Sequence, residues 1–278
     1  MVFTPPKESY TGKVYSVTIG IPPNTITFGG ENILPFHSFE GSYPNRPVIA
    51  YEIQDVPPDD WPGTIREVYK DVSSNPVEWA MFCQNKLNAK AIALRLIGTH
   101  PDRENRTPEE AAQTVRDVVS SINVPLIILG SNNTEKDAPV LIAASEAAKD
   151  KNCLIGKAQE ANYKTIAAAA MANNHKLIAM SELDINLSKQ LNILITQMGF
   201  DKEKIVIDPM CSALGYGLEY TYSVMERIRL AALTQNDQTM QQPMLGDVGV
   251  YVWKVKEAIA QESDVPQWGS LRERGIVW

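Results

Sequence analysis

The sequence predicts an α/β fold: a (β/α)8 TIM barrel preceded by an N-terminal β-hairpin arm. Three observations carry this reading. Short apolar, β-branched runs recur roughly every 25–40 residues. Each run is followed by a stretch whose apolar residues repeat at the helical period. No G-x-G-x-x-G follows the first run, so the nucleotide-binding form of the competing doubly wound sheet has no support. Alternation of strand and helix at this spacing implies βαβ units and a parallel sheet.

Taken in order, residues 13–30 differ from the rest. Val14, Ser16 and Thr18 alternate with Val17 and Ile19, and Thr25-Ile-Thr-Phe28 is a second β run, with the turn signal Gly20-Ile-Pro-Pro-Asn24 between them. Residues 1–47 therefore read as a hairpin arm and an irregular connection, and 48–278 as the barrel domain. Strands are expected at Val48–Ile53, Ala91–Ile97, Leu126–Leu129, Cys153–Ile155, Leu177–Met180 and Ile205–Ile207. A first helix runs from Pro76 to Leu87. Thr107-Pro-Glu-Glu110 is a capping box with proline at the first helical position, opening a helix striped by Ala111, Val115, Val118 and Ile122. Asp137 is expected to start the next helix, and Tyr163, Ile166, Ala167 and Ala170 stripe a fourth. Asp184 caps a fifth that Gly199 stops. Val224, Ile228 and Ala232 mark a sixth. A seventh strand is expected around Pro243–Leu245 and a helix from about Val250 to Gln261. The chain then reaches Gly275-Ile-Val-Trp278 before an eighth βα unit, so the barrel reads as C-terminally incomplete.

The totals exclude several classes. With 278 residues and 44% hydrophobic content, the chain can bury a sizeable core. A net charge of −7 with scattered Lys and Arg argues against nucleic-acid binding. No apolar run reaches the ~20 residues that span a bilayer, and Met1-Val-Phe-Thr-Pro-Pro-Lys-Glu8 lacks a signal pattern. Three widely spaced cysteines, Cys83, Cys153 and Cys211, fit neither a disulfide framework nor cluster or zinc spacing, which suits the cytoplasm. With three histidines and no H-x-x-x-H, no protein-built metal site is expected.

In a barrel the C-terminal strand ends converge on one mouth. Those positions hold Glu52, Asp55, Arg95, Gly98, His100, Asn132, Asn133, Lys157, Glu160, Ser181, Glu182, Asp208 and Asp247. The stretch 205–220 is the most suggestive: a buried-type strand, Asp208-Pro209, then a loop with Gly215, Tyr216 and Gly217. It reads either as a site or as a turn that Asp208 caps and the glycines permit. Lys157 suits a Schiff base by position, but a solvated or salt-bridged lysine is the simpler reading, since nothing nearby in sequence depresses its pKa. His100 reads as a plain loop histidine, and Cys211 has no histidine near it in sequence. Gly130-Ser-Asn-Asn133 offers neutral amide groups suited to a hydrogen-bonding ligand. No phosphate loop is present. Such a mouth lacks a nucleophile–base pair and needs a cofactor or partner to complete it.

Several stretches together match one family. They are Gly130-Ser-Asn-Asn-Thr-Glu-Lys-Asp137, Asn162-Tyr-Lys-Thr-Ile-Ala167, Leu183-Asp-Ile-Asn-Leu187 with Lys189-Gln-Leu-Asn192, Ile207-Asp-Pro209 with Leu214-Gly-Tyr-Gly-Leu-Glu-Tyr220, and Met225-Glu-Arg-Ile-Arg-Leu-Ala-Ala-Leu233. The arm contributes Val17-Thr-Ile-Gly20 and Gly29-Gly-Glu31. The chain resembles, over nearly its whole length, the small subunit of the corrinoid iron–sulfur protein, equivalent to the delta subunit of the archaeal acetyl-CoA decarbonylase/synthase complex.

The resemblance implies a barrel related to pterin-binding methyltransferases, in a heterodimer with a large subunit that carries a 4Fe–4S cluster. It implies a cobamide at the subunit interface. Its cobalt takes a methyl group from methyltetrahydrofolate through a separate methyltransferase and passes it to acetyl-CoA synthase in the reductive acetyl-CoA (Wood–Ljungdahl) pathway. Asn132, Asn133, Ser181, Asp208, Gly215, Tyr216 and Gly217 are the expected cobamide-binding residues, with Asp208 as support. No Asp-x-His-x-x-Gly motif is present, so the lower corrin face belongs to the partner. Two alternatives remain at this stage. One is a methyltetrahydrofolate-binding methyltransferase in which Asp208 and Asn132 hold the pterin. The other is a structural subunit that only caps its partner.

Overall fold

Two antiparallel strands, β1 (Ser16–Ile21) and β2 (Asn24–Gly29), pair with Ser16 opposite Gly29 and Ile21 opposite Asn24. They form the expected hairpin. In this computed structural model, which describes residues 3–4, 6–59, 61, 63–252, 254–270 and 274, six further strands form one parallel sheet in chain order. These are β3 (Ala50–Gln54), β4 (Ala91–Arg95), β5 (Leu126–Leu129), β6 (Leu154–Ala158), β7 (Lys176–Met180) and β8 (Ile205–Asp208). The helices are α1 (Gly63–Tyr69), α2 (Pro76–Asn85), α3 (Pro108–Ser121), α4 (Thr134–Ala147), α5 (Tyr163–Ala172), α6 (Ile185–Gln197), α7 (Leu218–Leu233), α8 (Gly249–Val252) and α9 (Lys256–Ile259).

The two-residue period of the strands sorts their side chains onto two faces. Ile92, Leu94, Ile128, Ile155, Leu177 and Ile205 face the helices and share a core with Trp79, Val115, Leu141, Ile166 and Ile195. Ala93, Ile127, Leu129, Leu154, Ile178 and Val206 face the other way. They meet Val17 and Ile19 of the hairpin, both buried. Asn152, just before β6, locks the hairpin in place. Its carbonyl accepts the Gly20 amide at 2.9 Å, and its Nδ2 donates to the carbonyls of Thr18 and Gly20. A Cβ at Gly20, where φ is +90°, would lie 2.7 Å from Pro125, which precedes β5. The hairpin thus plugs the N-terminal end of the strands and leaves their C-terminal ends for the site.

Elements marked by local chemistry fall where the sequence places them. Thr107 and Glu110 form the capping box of α3, and Asp184 accepts the Asn186 and Leu187 amides at the start of α6. Four details differ. First, α4 begins at Thr134, not Asp137, because the Asn133 side chain accepts the Lys136 amide at 2.9 Å and caps it. Second, the single helix expected at 250–261 is instead α8 and α9, with Val255 extended. Valines at 248, 250, 252 and 255 give this stretch poor helix propensity. Third, the seventh strand reduces to one parallel bridge, Ile207 to Met244. Its bonds run from the Ile207 amide to Pro243 O at 2.9 Å and from the Leu245 amide to Ile207 O at 2.8 Å. Pro243 has no amide hydrogen with which to extend the ladder. Fourth, α1 follows a proline-studded stretch that concealed it.

β3 and the 243–245 segment line the same cavity of about 1260 Å³, and no strand joins their outer edges among the described residues. Gly275-Ile-Val-Trp278 lies outside the described residues.

Candidate functional site

The C-terminal strand ends carry a chain of buried charges. Arg95, at the end of β4, donates through one nitrogen to Glu52 at 2.8 Å and to Asp247 at 2.7 Å. Lys157, in β6, reaches Asp247 at 2.6 Å and Asp208 at 2.8 Å. The order Glu52–Arg95–Asp247–Lys157–Asp208 therefore stitches β3, β4, β6 and β8 to the segment after residue 245. Arg95 is 2% exposed and Asp208 0%. Burial opposes charge on Lys157 and Asp247, yet neighbouring opposite charges prevail. Asp208 and Asp247 lift the Lys157 amine above its ordinary range, while Arg95 and Lys157 hold the Asp247 carboxyl below its own. Lys157 is thus the salt-bridged lysine, protonated and unsuited to nucleophilic attack. Only the sheet brings its partners near, since both lie far away in sequence.

A second device fixes the loop after β5. Asp137 turns back from the first turn of α4, and its carboxylate accepts from the Ser131 amide (2.7 Å), the Ser131 hydroxyl (2.7 Å) and the Asn132 amide (3.0 Å). A Cβ at Gly130 would lie 2.4 Å from this carboxylate, so glycine is required there. Asn132 sits at φ +71°, a conformation asparagine tolerates, and its side chain is left exposed. Asp137 is a site residue that the sequence reading assigned only to a helix start. Its signal was the short Ser131-to-Asp137 spacing at the mouth.

Asp55, just past β3, is buried. Its Oδ1 accepts the Gly98 amide at 2.8 Å, and Arg106 lies 3.8 Å from Oδ2, which has no hydrogen-bond donor among the described residues. Burial pushes the carboxyl up to about 6, against the pull of Gly98 and Arg106. The folded-state value exceeds the unfolded one, so this group's contribution to stability is fully present below about pH 4 and is lost as pH rises through about 6. Asp55→Asn mimics the protonated form. It should be about 1–3 kcal/mol more stable than the parent at pH 7.5 and equal to it near pH 4, read from denaturant unfolding. An offset that is the same at both pH values would contradict this account.

The 205–220 stretch resolves into two layers. Asp208 lies beneath, its Oδ1 accepting the Met210 amide at 2.8 Å, and Ser181 beside it donates its amide to the Asp208 carbonyl at 3.1 Å. Both side chains are fully buried. Glu182, Leu183 and Met210 all take positive φ here (46°, 65° and 68°), and such strain in non-glycine residues clusters at functional sites. Above them, Gly215 (φ +77°) and Gly217 (φ +111°) shape the loop, and Gly217 caps α7. A Cβ at 215 would meet nothing within 4 Å among the described residues, so the loop is open on that side. Leu214, Tyr216, Leu218 and Tyr220 are 46%, 56%, 40% and 64% exposed.

The expected residues thus separate by depth. Asn132, Gly215 and Tyr216 belong to accessible loops of the mouth, whereas Gly217, at the start of α7, is buried. Asn133 is half-buried, and its carbonyl is spent on a helix cap. Ser181 and Asp208 are fully buried support. Among the described residues, no group of three or more His, Cys, Asp or Glu stands in metal-holding geometry, and no helix is long and apolar enough to cross a membrane.

A hairpin-plugged parallel βα sheet with an ion-paired C-terminal mouth places the protein in the TIM-barrel class. In fold it is similar to dihydropteroate synthase of Xanthomonas albilineans solved with 4-aminobenzoic acid. The TM-score is 0.50 at 14% identity, over 82% of this chain and 79% of that one. At this identity the likeness concerns the fold alone. Residues 16–265 match the family model for the CO dehydrogenase/acetyl-CoA synthase delta subunit, and the chain belongs to that family. It is 38% identical over 244 residues to the acetyl-CoA decarbonylase/synthase complex subunit delta of Methanothermobacter thermautotrophicus, covering 87% of this chain and 62% of that relative. Against the same-named subunit of Methanocaldococcus jannaschii the identity is 34% over 281 residues, 99% of this chain and 68% of the relative. The chain therefore spans 62% and 68% of the length of these two relatives.

Proposed function

We propose that this chain is the barrel-bearing small subunit of a corrinoid methyl carrier, presenting its mouth to a cobamide shared with a large corrinoid iron–sulfur subunit. In this reading the large subunit holds the 4Fe–4S cluster. A methyltetrahydrofolate:corrinoid methyltransferase supplies the methyl group, and acetyl-CoA synthase receives it in the cytoplasm. Membership in the delta-subunit family supports the assignment. The observation that carries it at the residue level is the exposed rim Leu214, Tyr216, Leu218 and Tyr220, beside a loop where position 215 is open. Four large side chains left exposed along one short stretch support a binding role for it. A flat, amide-fringed macrocycle is a fitting occupant, with the exposed Asn132 amide as a neutral partner.

When bound, the cobamide supplies cobalt as the methyl-accepting nucleophile, which requires no general base. The residues of this chain have other tasks. The rim excludes water from one corrin face. Asn132, held by Asp137, offers hydrogen bonds to the fringe. Asp208 and Ser181 support the loop from below. An internally paired ionic layer suits this work, because its members are engaged with one another. It also disfavours the pterin alternative, since Asp208 is fully buried and ion-paired with Lys157.

Gly217→Val forces a branched side chain into φ +111° and should distort the rim. In the intact heterodimer, cobamide content should fall at least twofold and the methylation rate with it. Unchanged cobamide content and methylation rate would remove the rim from the proposal.

A further inference from the structure

The mouth is roofed by two short helices, and one contact ties them to the rim loop. The Tyr216 hydroxyl donates to Glu257 of α9, lying 2.9 and 3.1 Å from its two carboxylate oxygens. Tyr251 of α8 is half-buried, within the field of Lys157, Glu182, Asp208 and Asp247. Gly249, Val250, Tyr251, Lys254 and Ile259 line the interior cavity, and Ala258 is buried. At the base of this roof a Cβ on Gly246 would lie 3.5 Å from Cys211 Sγ, so the chain backbone covers that thiol. Arg274 donates to the carbonyls of Glu257 and Ala260, holding the end of α9 together.

We propose that α8 and α9 form a cover over the ionic layer, latched to the rim loop by Tyr216–Glu257, and that releasing this latch opens the mouth. Three features support a movable cover. Its helices have four residues each, too few to be stable alone. Gly249, the first residue of α8, has no neighbour within 4 Å of a would-be Cβ among the described residues, so no packing at that position pins the cover. The latch is a solvent-exposed hydrogen bond, cheap to exchange for water. Whatever engages Leu214 and Tyr216 therefore also acts on access to Lys157, Asp208 and Asp247.

Cys211 reports on the cover in the full chain, without cofactor or partner, so the test is independent of the cobamide reading. Cys211 is 7% exposed, while Cys83 and Cys153 lie deep in the helix-side core and report on global unfolding. Alkylation by iodoacetamide is followed by mass spectrometry. Tyr216→Phe and Glu257→Ala should each raise the Cys211 rate at least threefold, with Cys83 and Cys153 unchanged. Glu257→Gln keeps an acceptor and should fall between these variants and the parent. The double variant should not exceed the faster single one, because both remove the same bond. Unchanged Cys211 rates, or rates that rise equally at all three cysteines, would overturn the proposal.

Discussion

Lys157→Met is expected to lower the unfolding free energy by about 3–5 kcal/mol, measured by urea denaturation. The substitution keeps most of the side-chain volume and removes the charge. It leaves Asp208, fully buried, without its cation, and Asp247 with Arg95 alone. An uncompensated charge in a low-dielectric interior dominates such a loss, while the intact pair adds little net stability. A second substitution separates these effects. Asp208→Asn in the Lys157→Met background removes the orphaned charge and should recover more than half of the loss. A loss below ~1 kcal/mol, or no recovery in the double variant, would show that the ionic layer is more hydrated than its burial implies.

Asp137→Ala should cost about 2–4 kcal/mol and free the loop that carries Asn132. One carboxylate serves three donors there, and two of them belong to buried Ser131. Removing it strands those donors and opens space against Gly130. Amide hydrogen exchange at residues 130–133 should accelerate at least tenfold, while that of β5 changes only in proportion to the lost stability. Asp137→Asn retains a carbonyl acceptor and should show a smaller effect. Unaltered exchange at 130–133 would mean that the α4 cap at Asn133 suffices to hold the loop.

These residues also show how far a sequence carries the fold. The capping box at Thr107–Glu110, the Asp184 cap and the hairpin were legible because each is encoded within a few residues. The mouth was legible as a set of positions, since strand periodicity fixes which residues end each strand. Its wiring was not. Lys157 gives no sign in its own neighbourhood that Asp208 and Asp247 will pair with it, and only the parallel register brings them together. Asp137 looked like a helix start because carboxylates commonly serve there, whereas Asn133 won that role and released Asp137 to the loop. Depth was hidden as well: Ser181 and Asp208 stand at strand ends like the exposed candidates, but the loops above bury them. The Tyr216–Glu257 contact joins segments whose local patterns predicted only a loop and a longer helix.

The central claim is that this barrel forms one wall of a cobamide site completed by a large subunit. The visible spectrum tests it most directly, recorded on the chain purified alone and on the chain purified with its large partner under the same anaerobic conditions. The account predicts cobamide absorbance at about one equivalent per heterodimer and none in the chain alone. A chain that retains stoichiometric cobamide by itself would contradict it, as would a large subunit that holds its cobamide equally well when this chain is removed.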